Sequence, residues 1–362
     1  MISIMSKLNG YLLVKILRNS DLANQLDLKQ WDLVIRQARR ADLLPQLYYD
    51  LNKKGILKAL PQEAFCHLES AYHLSVAHQQ AVRWEVNRIQ SALRKLEVPV
   101  TLLKGAAYVL ADLPCANGRL FSDVDILVPK VVLDEAEQSL MAHGWMSVDT
   151  DPYDQRYYRQ WMHELPPLRH VKRQTSLDVH HSILPETARW HPDAKKLLQA
   201  VKPLEGYERL YVLSPVDMVL HSATHLFSEG EIDHGLRDLY DLDALLRDFG
   251  KQNDFWELLY ERAREMDLTR PLYYALRYTQ YFLETPVPES SGKRVTGQPV
   301  RALRYLMDLL FQRALNPDHP SCNDAFTGIA RWLLYLRGHY LRMPLYLLLP
   351  HLVRKSMRRN EV

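Results

Sequence analysis

Two aspartates one residue apart inside an apolar run, Asp123-Val124-Asp125-Ile126-Leu127-Val128, constrain this 362-residue chain more than any other segment. The run is apolar and β-branched, and it stops at Pro129, as a buried strand does. Alternate side chains of a strand share a face, so Asp123 and Asp125 project together while Val124 and Ile126 enter the core. Two carboxylates on one face repel each other, and burying them is costly unless a cation lies between them. Hard oxygen donors of this kind suit Mg²⁺, which binds through one or two carboxylates plus substrate phosphates. The plain alternative is a solvent-facing edge strand with two polar positions.

The flanking segments add to that constraint. Val98 to Leu103 reads as a strand, Lys104-Gly105 as a tight turn, and Ala106 to Leu110 as a helix. A helix start of this kind offers free backbone N–H groups to a phosphate. Downstream, Leu177-Asp178-Val179-His180 is another strand, with Asp178 and His180 on one face. Three acids then converge from two adjacent strands, a set able to hold two Mg²⁺ ions. Leu133 to His143 reads as a helix, and Trp145 to Val148, Arg156 to Leu168 and Ser176 to Ile183 read as further strands of one mixed sheet.

Helical periodicity surrounds this sheet. Leu8 to Leu51 carries short amphipathic helices, and Glu63 to Leu96 has no Gly or Pro, which predicts one helix of roughly 30 residues. From Pro192 onward the pattern is helical apart from a strand-like stretch at Leu210 to Leu213. The expected fold class is α+β, a small mixed sheet embedded in a largely helical protein. Its parts are a helical region with the long bracing helix (1–97), the core with the carboxylates (98–190), a helical domain (191–285), a Pro- and Gly-containing linker (286–300) and a C-terminal helical region (301–362).

Composition excludes several classes. With 47% hydrophobic and 25% charged residues the chain can bury a core and is not disordered. Its 46 Lys and Arg against 43 Asp and Glu argue against a dedicated nucleic-acid enzyme, which needs an extended basic surface. The basicity is local: Thr327 to Asn360 has no acid and seven strong bases, Arg331, Arg337, Arg342, Arg354, Lys355, Arg358 and Arg359, and the remainder is net acidic. That segment is expected to pack as helices on the helical domain, with interfacial membrane binding as the competing reading. Cys66, Cys115 and Cys322 are far apart and odd in number, which suits reduced thiols and a cytoplasmic protein, with peripheral contact to the inner face of the membrane as an extension. Met1 to Leu28 is too interrupted by charge for a signal peptide, and the longest apolar stretch, Met343 to Val353, is 11 residues where a spanning helix needs about 20. The chain has no GxSxG, Walker A loop or GxGxxG.

Taken together, Leu103-Lys104-Gly105, the segment Gly118-Arg119-x-x-Ser122-Asp123-Val124-Asp125-Ile126-Leu127-Val128 and Leu177-Asp178-Val179-His180 resemble the uncharacterised bacterial nucleotidyltransferase family of the DNA polymerase β-type superfamily. The resemblance covers Val98 to Leu184 and continues more weakly through Ser214-Pro215-x-Asp217, His221, His225 and Arg237-Asp238-Leu239. It implies transfer of a nucleoside monophosphate from an NTP, with ATP the expected donor and Mg²⁺ or Mn²⁺ the expected metal, to an acceptor hydroxyl or phosphate with release of pyrophosphate. Asp123 and Asp125 would be the paired metal ligands, Asp178 the third carboxylate and Gly105 the phosphate-loop glycine, with Ser122 beside the pair in the nucleotide-binding set. Lys104-Gly105-Ala106 lacks the loop serine usual in that superfamily, and Gly105 lies 18 residues before Asp123, so Lys104 and Arg119 are expected to hold phosphate instead. Each could also simply pair with an acid. His180 would orient Asp178 or touch substrate. A sugar, small-molecule or peptide acceptor is implied, of the kind met beside bacterial exopolysaccharide genes. Two other readings stay open: a kinase using the same metal site, and a non-catalytic peripheral-membrane partner protein of the same fold.

Weaker signals complete the reading. His221 and His225 share a helix face, but no Glu follows His221 and no third ligand is set, so they are expected inside the core or facing the cleft rather than on zinc. Asp238 and Asp241 are expected as helix-start or salt-bridge residues rather than ligands, with Arg237-Asp238 facing the cleft as the alternative. Tyr153 to Arg173 interleaves aromatic and basic residues, which suits either a nucleobase platform or the outer face of a sheet.

Overall fold

The computed structural model describes residues 11–148, 151–288, 297–344 and 346. Met1 to Gly10, most of the Pro286 to Pro299 linker, and the part of the basic segment holding Arg354, Lys355, Arg358 and Arg359 lie outside the described residues.

A single mixed sheet of seven strands sits among helices. In chain order these are β1 (Val100–Leu103), β2 (Asp123–Leu127), β3 (Trp145–Ser147), β4 (Leu168–His170), β5 (Ser176–His180), β6 (Lys202–Pro203) and β7 (Leu210–Val212), arranged β3-β4-β5-β2-β1-β7-β6. All of β1 is buried, and in β2 only Asp123 is exposed, which is why both read as near-continuous apolar runs. β1 pairs antiparallel with β2 and parallel with β7, while β2 runs parallel to β5. The central sheet thus takes a strand from residues 210–212, far along the chain from the rest of it.

The amino-terminal helices are α1 (Leu12–Arg18), α2 (Leu28–Arg40), α3 (Leu44–Lys53) and α4 (Gln62–Leu93). α4 starts directly after Pro61 and runs for 32 residues, close to the expected span. It packs on α3 and on α5 (Lys104–Leu110), the helix that leaves β1, so it braces the turn carrying Lys104. α6 (Leu133–Ala142) lies where a helix was expected.

The predicted strand over Arg156 to Leu168 is not there. Pro152–Trp161 forms helix α7, and only Leu168–His170 is strand. Asp151 caps this helix by accepting from the N–H groups of Tyr153 and Asp154, and Pro152 occupies its first position. Tyr153, Tyr157 and Trp161 recur every four residues and contact one another along one face, with ring centroids 6.4 and 6.0 Å apart. The aromatic recurrence was helical, and the interleaved bases concealed it. Those bases are engaged: Arg159 forks onto Glu137 at 2.7 and 2.8 Å, and Arg173 onto Glu85 at 2.9 Å.

The remaining helices are α8 (Ala194–Gln199), α9 (Pro215–Ser228), α10 (Gly235–Phe249), α11 (Phe255–Glu265), α12 (Thr269–Leu283), α13 (Arg301–Ala314) and α14 (Thr327–Arg342). α14 packs on α13 and α9. At its crossing with the end of α9 both chains have glycine: a Cβ on Gly338 would lie 2.4 Å from the Cα and the N of Gly230. The end of α14 is stitched to the segment after β5, where Arg189 N donates to Leu341 O at 2.8 Å and Thr187 Oγ1 to Arg342 O at 2.8 Å. Its arginines are tied internally: Arg331 to Asp318, Arg337 to the Phe227 carbonyl and Arg342 to Glu229. Among the described residues, no helix is long and apolar enough to cross a membrane. Cys66, Cys115 and Cys322 are all free thiols.

Candidate active site

The register of β2 and β5 assembles the acids. Asp125 is the direct neighbour of Asp178, and Asp123 follows two residues away on the same face. On the other side of β2, Leu103 is the partner of Asp125, so the residue after it, Lys104, begins α5 next to the carboxylates. Lys104 has φ +43°, a left-handed conformation that costs a non-glycine residue about 1–2 kcal/mol. Strain of this kind is tolerated where surrounding structure holds it, often at functional sites. Here it accompanies a contact: Lys104 Nζ donates to Asp125 Oδ1 at 3.2 Å.

Asp125 is the centre of the network. The same Oδ1 accepts from His180 Nε2 at 3.0 Å, and His180 Nδ1 lies 3.1 Å from Glu164 Oε2. Burial by itself would raise the Asp125 carboxyl, but Lys104 and His180 hold it far below the usual carboxylate range. Asp178 moves the opposite way, raised by burial and then by the negative charges of Asp125 and Glu164. Carboxyls pushed apart in this way can divide ionic and proton-transfer roles. Burial opposes a charge on His180, and the two carboxylates on either side outweigh it and raise its pKa.

A cavity of about 220 Å³ opens between the sheet and helices α9 and α10. Its wall includes Lys104, Gly105, Arg119, Ser122, Asp123 and Asp125 from the sheet side, and His225, Arg237, Asp238 and Asp241 from the helices. Ser122 Oγ donates to Asp123 Oδ1 at 3.0 Å. Arg119 is buried, its Nε donating to Asp241 Oδ2 at 3.0 Å and its guanidinium lying over the rings of Tyr108 and Phe121. Burial outweighs Arg119 at Asp241, whose carboxyl is pushed up to about 6. Arg237 holds Asp238 through two hydrogen bonds, so both helix acids are salt-bridge partners. Packing alone disfavours a side chain at Gly105: a Cβ there would meet the Phe121 ring at 2.8 Å.

His221 is buried within α9, and His225 lines the cavity. Burial, followed by the Lys104 charge, pushes both well below the usual histidine range, so they stand neutral. Asp178 lies beside Asp125 in the sheet, and the cavity wall itself carries Asp123 and Asp125.

Several participants had not been singled out from the sequence. His225 Nε2 meets Glu229 Oε1 at 3.1 Å, and Glu229 is held at 2.6 Å by Arg342 from the end of α14. The C-terminal helix is thus linked to the cavity wall through Glu229 and His225, although 164 residues separate Arg342 from Asp178. Glu164 sits in an irregular segment bridged to β5 at His180. No local periodicity marks either residue.

The donor set suits a hard divalent cation. Asp123, Asp125 and Asp178 share one face of the sheet, an oxygen donor set of the type a hard divalent cation takes, and His180 and Lys104 contact Asp125 at 3.0 and 3.2 Å. The chain matches no curated protein and no solved structure. A model of the family described as Uncharacterised nucleotidyltransferase matches residues 27–284, a span that contains the whole sheet, its carboxylates and helices α9 and α10, and the chain belongs to that family.

Proposed function

We propose that this nucleotidyltransferase moves a nucleoside monophosphate from ATP or another NTP to an acceptor hydroxyl or phosphate, releasing pyrophosphate, at the site built on Asp123, Asp125 and Asp178. The observation that supports the reading is the parallel register setting Asp178 beside Asp125, next to a cavity whose wall pairs Lys104, Arg119 and Arg237 with aspartates. A two-carboxylate motif plus a third acid on the neighbouring strand also agrees with the DNA polymerase β-type superfamily.

In this reading the three aspartates hold Mg²⁺ or Mn²⁺. When bound, the metal neutralises phosphate charge and lowers the pKa of the attacking hydroxyl. Lys104 leaves Asp125 for a phosphate oxygen as the triphosphate enters, exchanging one anionic partner for another. His180 keeps its hydrogen bond and fixes the Asp125 carboxylate in place. Asp178, the third carboxylate, stands beside Asp125 to complete the oxygen donor set for the metal. Phe121 moves off Gly105 so that the start of α5 can meet phosphate, and Ser122 turns from Asp123 toward the nucleotide. Arg119 acts from the rear of the cavity, where Asp241 holds it in place. The cavity is smaller than the roughly 300–1,000 Å³ of typical small-molecule sites. It therefore receives the phosphate chain, and base and acceptor lie outside it.

The test is thermal stabilisation of the full chain by Mg²⁺ and ATP together. At about 100 times Kd a ligand adds roughly 2.7 kcal/mol, a shift of several degrees. Asp123→Ala with Asp125→Ala should abolish the shift, and an equal shift in that variant removes these residues from the site. With an acceptor present, pyrophosphate is the expected product; ADP in its place would identify a kinase.

A further inference from the structure

The segment between α7 and β4 folds back on β5. Glu164 forms an isolated antiparallel bridge with His180, and His181 N donates to His163 O at 2.8 Å. This brings a ring nitrogen of His163, a carboxylate oxygen of Glu164 and a ring nitrogen of His180 within 4.8 Å of one another. The His163 and His180 rings lie 5.4 Å apart, centre to centre. His163 Nδ1 is buried with no hydrogen-bond partner among the described residues, an arrangement a buried polar atom rarely keeps without a ligand.

His180 has an acid at each nitrogen: Asp125 on Nε2 and Glu164 on Nδ1. A neutral imidazole has one N–H to give; the second acid is answered by protonating the ring or by a cation on the Nδ1 side, and the unpartnered Nδ1 of His163 beside it supplies the cation with a further donor. Two imidazoles and one carboxylate make a softer donor set than the all-oxygen aspartate cluster and favour zinc and related transition metals over Mg²⁺.

We propose that His163, Glu164 and His180 form a second metal site, for a transition metal of the zinc class, distinct from the aspartate site. Zinc bonds of about 2.0–2.2 Å require these side chains to close by about 1 Å, and the three protein ligands leave a fourth position for water. The site reaches the aspartates through His180: metal on Nδ1 fixes the tautomer whose Nε2–H holds Asp125, the carboxylate–histidine–metal arrangement. His180 is then a positioning residue for Asp125. This assignment does not depend on what the aspartates bind.

The test uses the full chain, stripped with chelator and dialysed against Zn²⁺ with excess Mg²⁺. One zinc per chain should be retained, and Co²⁺ in its place should give visible d–d absorption bands. Glu164→Gln, whose side chain is only partly buried, and His163→Gln should each weaken retention at least tenfold. Asp123→Asn should leave zinc unchanged while abolishing the stabilisation by Mg²⁺ and ATP, which separates this site from the proposed function. Absence of retained zinc in the unsubstituted chain overturns the proposal with no variant needed. So does zinc that survives Glu164→Gln in a folded protein, or zinc that is lost with Asp123→Asn.

Discussion

Arg119 and Lys104 illustrate how the same charge does different work in two settings. Lys104 is partly accessible and bonded to a carboxylate that a phosphate can replace, so its pairing is exchangeable. Arg119 and Asp241 are both buried, with 9% and 4% of their side chains exposed, and removing one partner leaves a buried charge. Arg119→Ala should therefore destabilise the fold by about 3–5 kcal/mol, measured by denaturant unfolding. Arg119→Ala combined with Asp241→Asn should recover part of that loss, because the orphaned charge is gone. With Asp241→Asn measured alone as well, a double-variant loss equal to the sum of the two single losses would show that the pair is not coupled. Of the residues singled out from the sequence, Asp123 and Asp125 were legible because they share a strand face, a relation of period two. The partner of Arg119 was not, since it lies 122 residues away on another element.

Among the elements, the long α4, the turn from β1 into α5, and β2 were all legible, because each depends on a local pattern of apolar spacing and on punctuation by Pro or Gly. α7 was misread as strand because its bases interrupt an aromatic face that recurs every fourth residue. The crossing of α14 over the end of α9 shows a different limit: two glycines meet backbone to backbone, and neither is conspicuous in the sequence. Gly338→Leu must push α14 away from Gly230, since the obstructing atoms are backbone. We expect a loss of about 1–3 kcal/mol in stability. Because the same shift draws Arg342 from Glu229, nucleotide-dependent stabilisation should fall as well, in thermal melts with and without Mg²⁺ and ATP. A variant that loses stability yet keeps the full nucleotide shift would place α14 outside the site.

At the scale of the whole molecule, the C-terminal bases divide into two groups. Arg331, Arg337 and Arg342 are tied to internal partners, and α14 buries Ala330 and Leu334 in the helical core. Arg354, Lys355, Arg358 and Arg359 lie outside the described residues. Ending the chain after Asp324 removes α14, uncovers apolar surface on α13 and α9, and should lower the melting temperature by many degrees. Similar melting of the truncated and full chains would mean that α14 contributes no packing energy.

By itself the sequence determined the class of fold, the strand that carries the paired carboxylates, and the Lys104-Gly105 turn that leads from the neighbouring strand into a helix. These follow from side-chain alternation and helix-start chemistry, which act over a few residues. Only the tertiary structure decided that β7 enters the sheet next to β1, that Arg119 belongs to Asp241, and that the last helix reaches the site through Arg342 and Glu229. Such pairings join residues more than a hundred positions apart, and their energy comes from burial and charge neutralisation once the chain is packed. No local period in a single sequence encodes them.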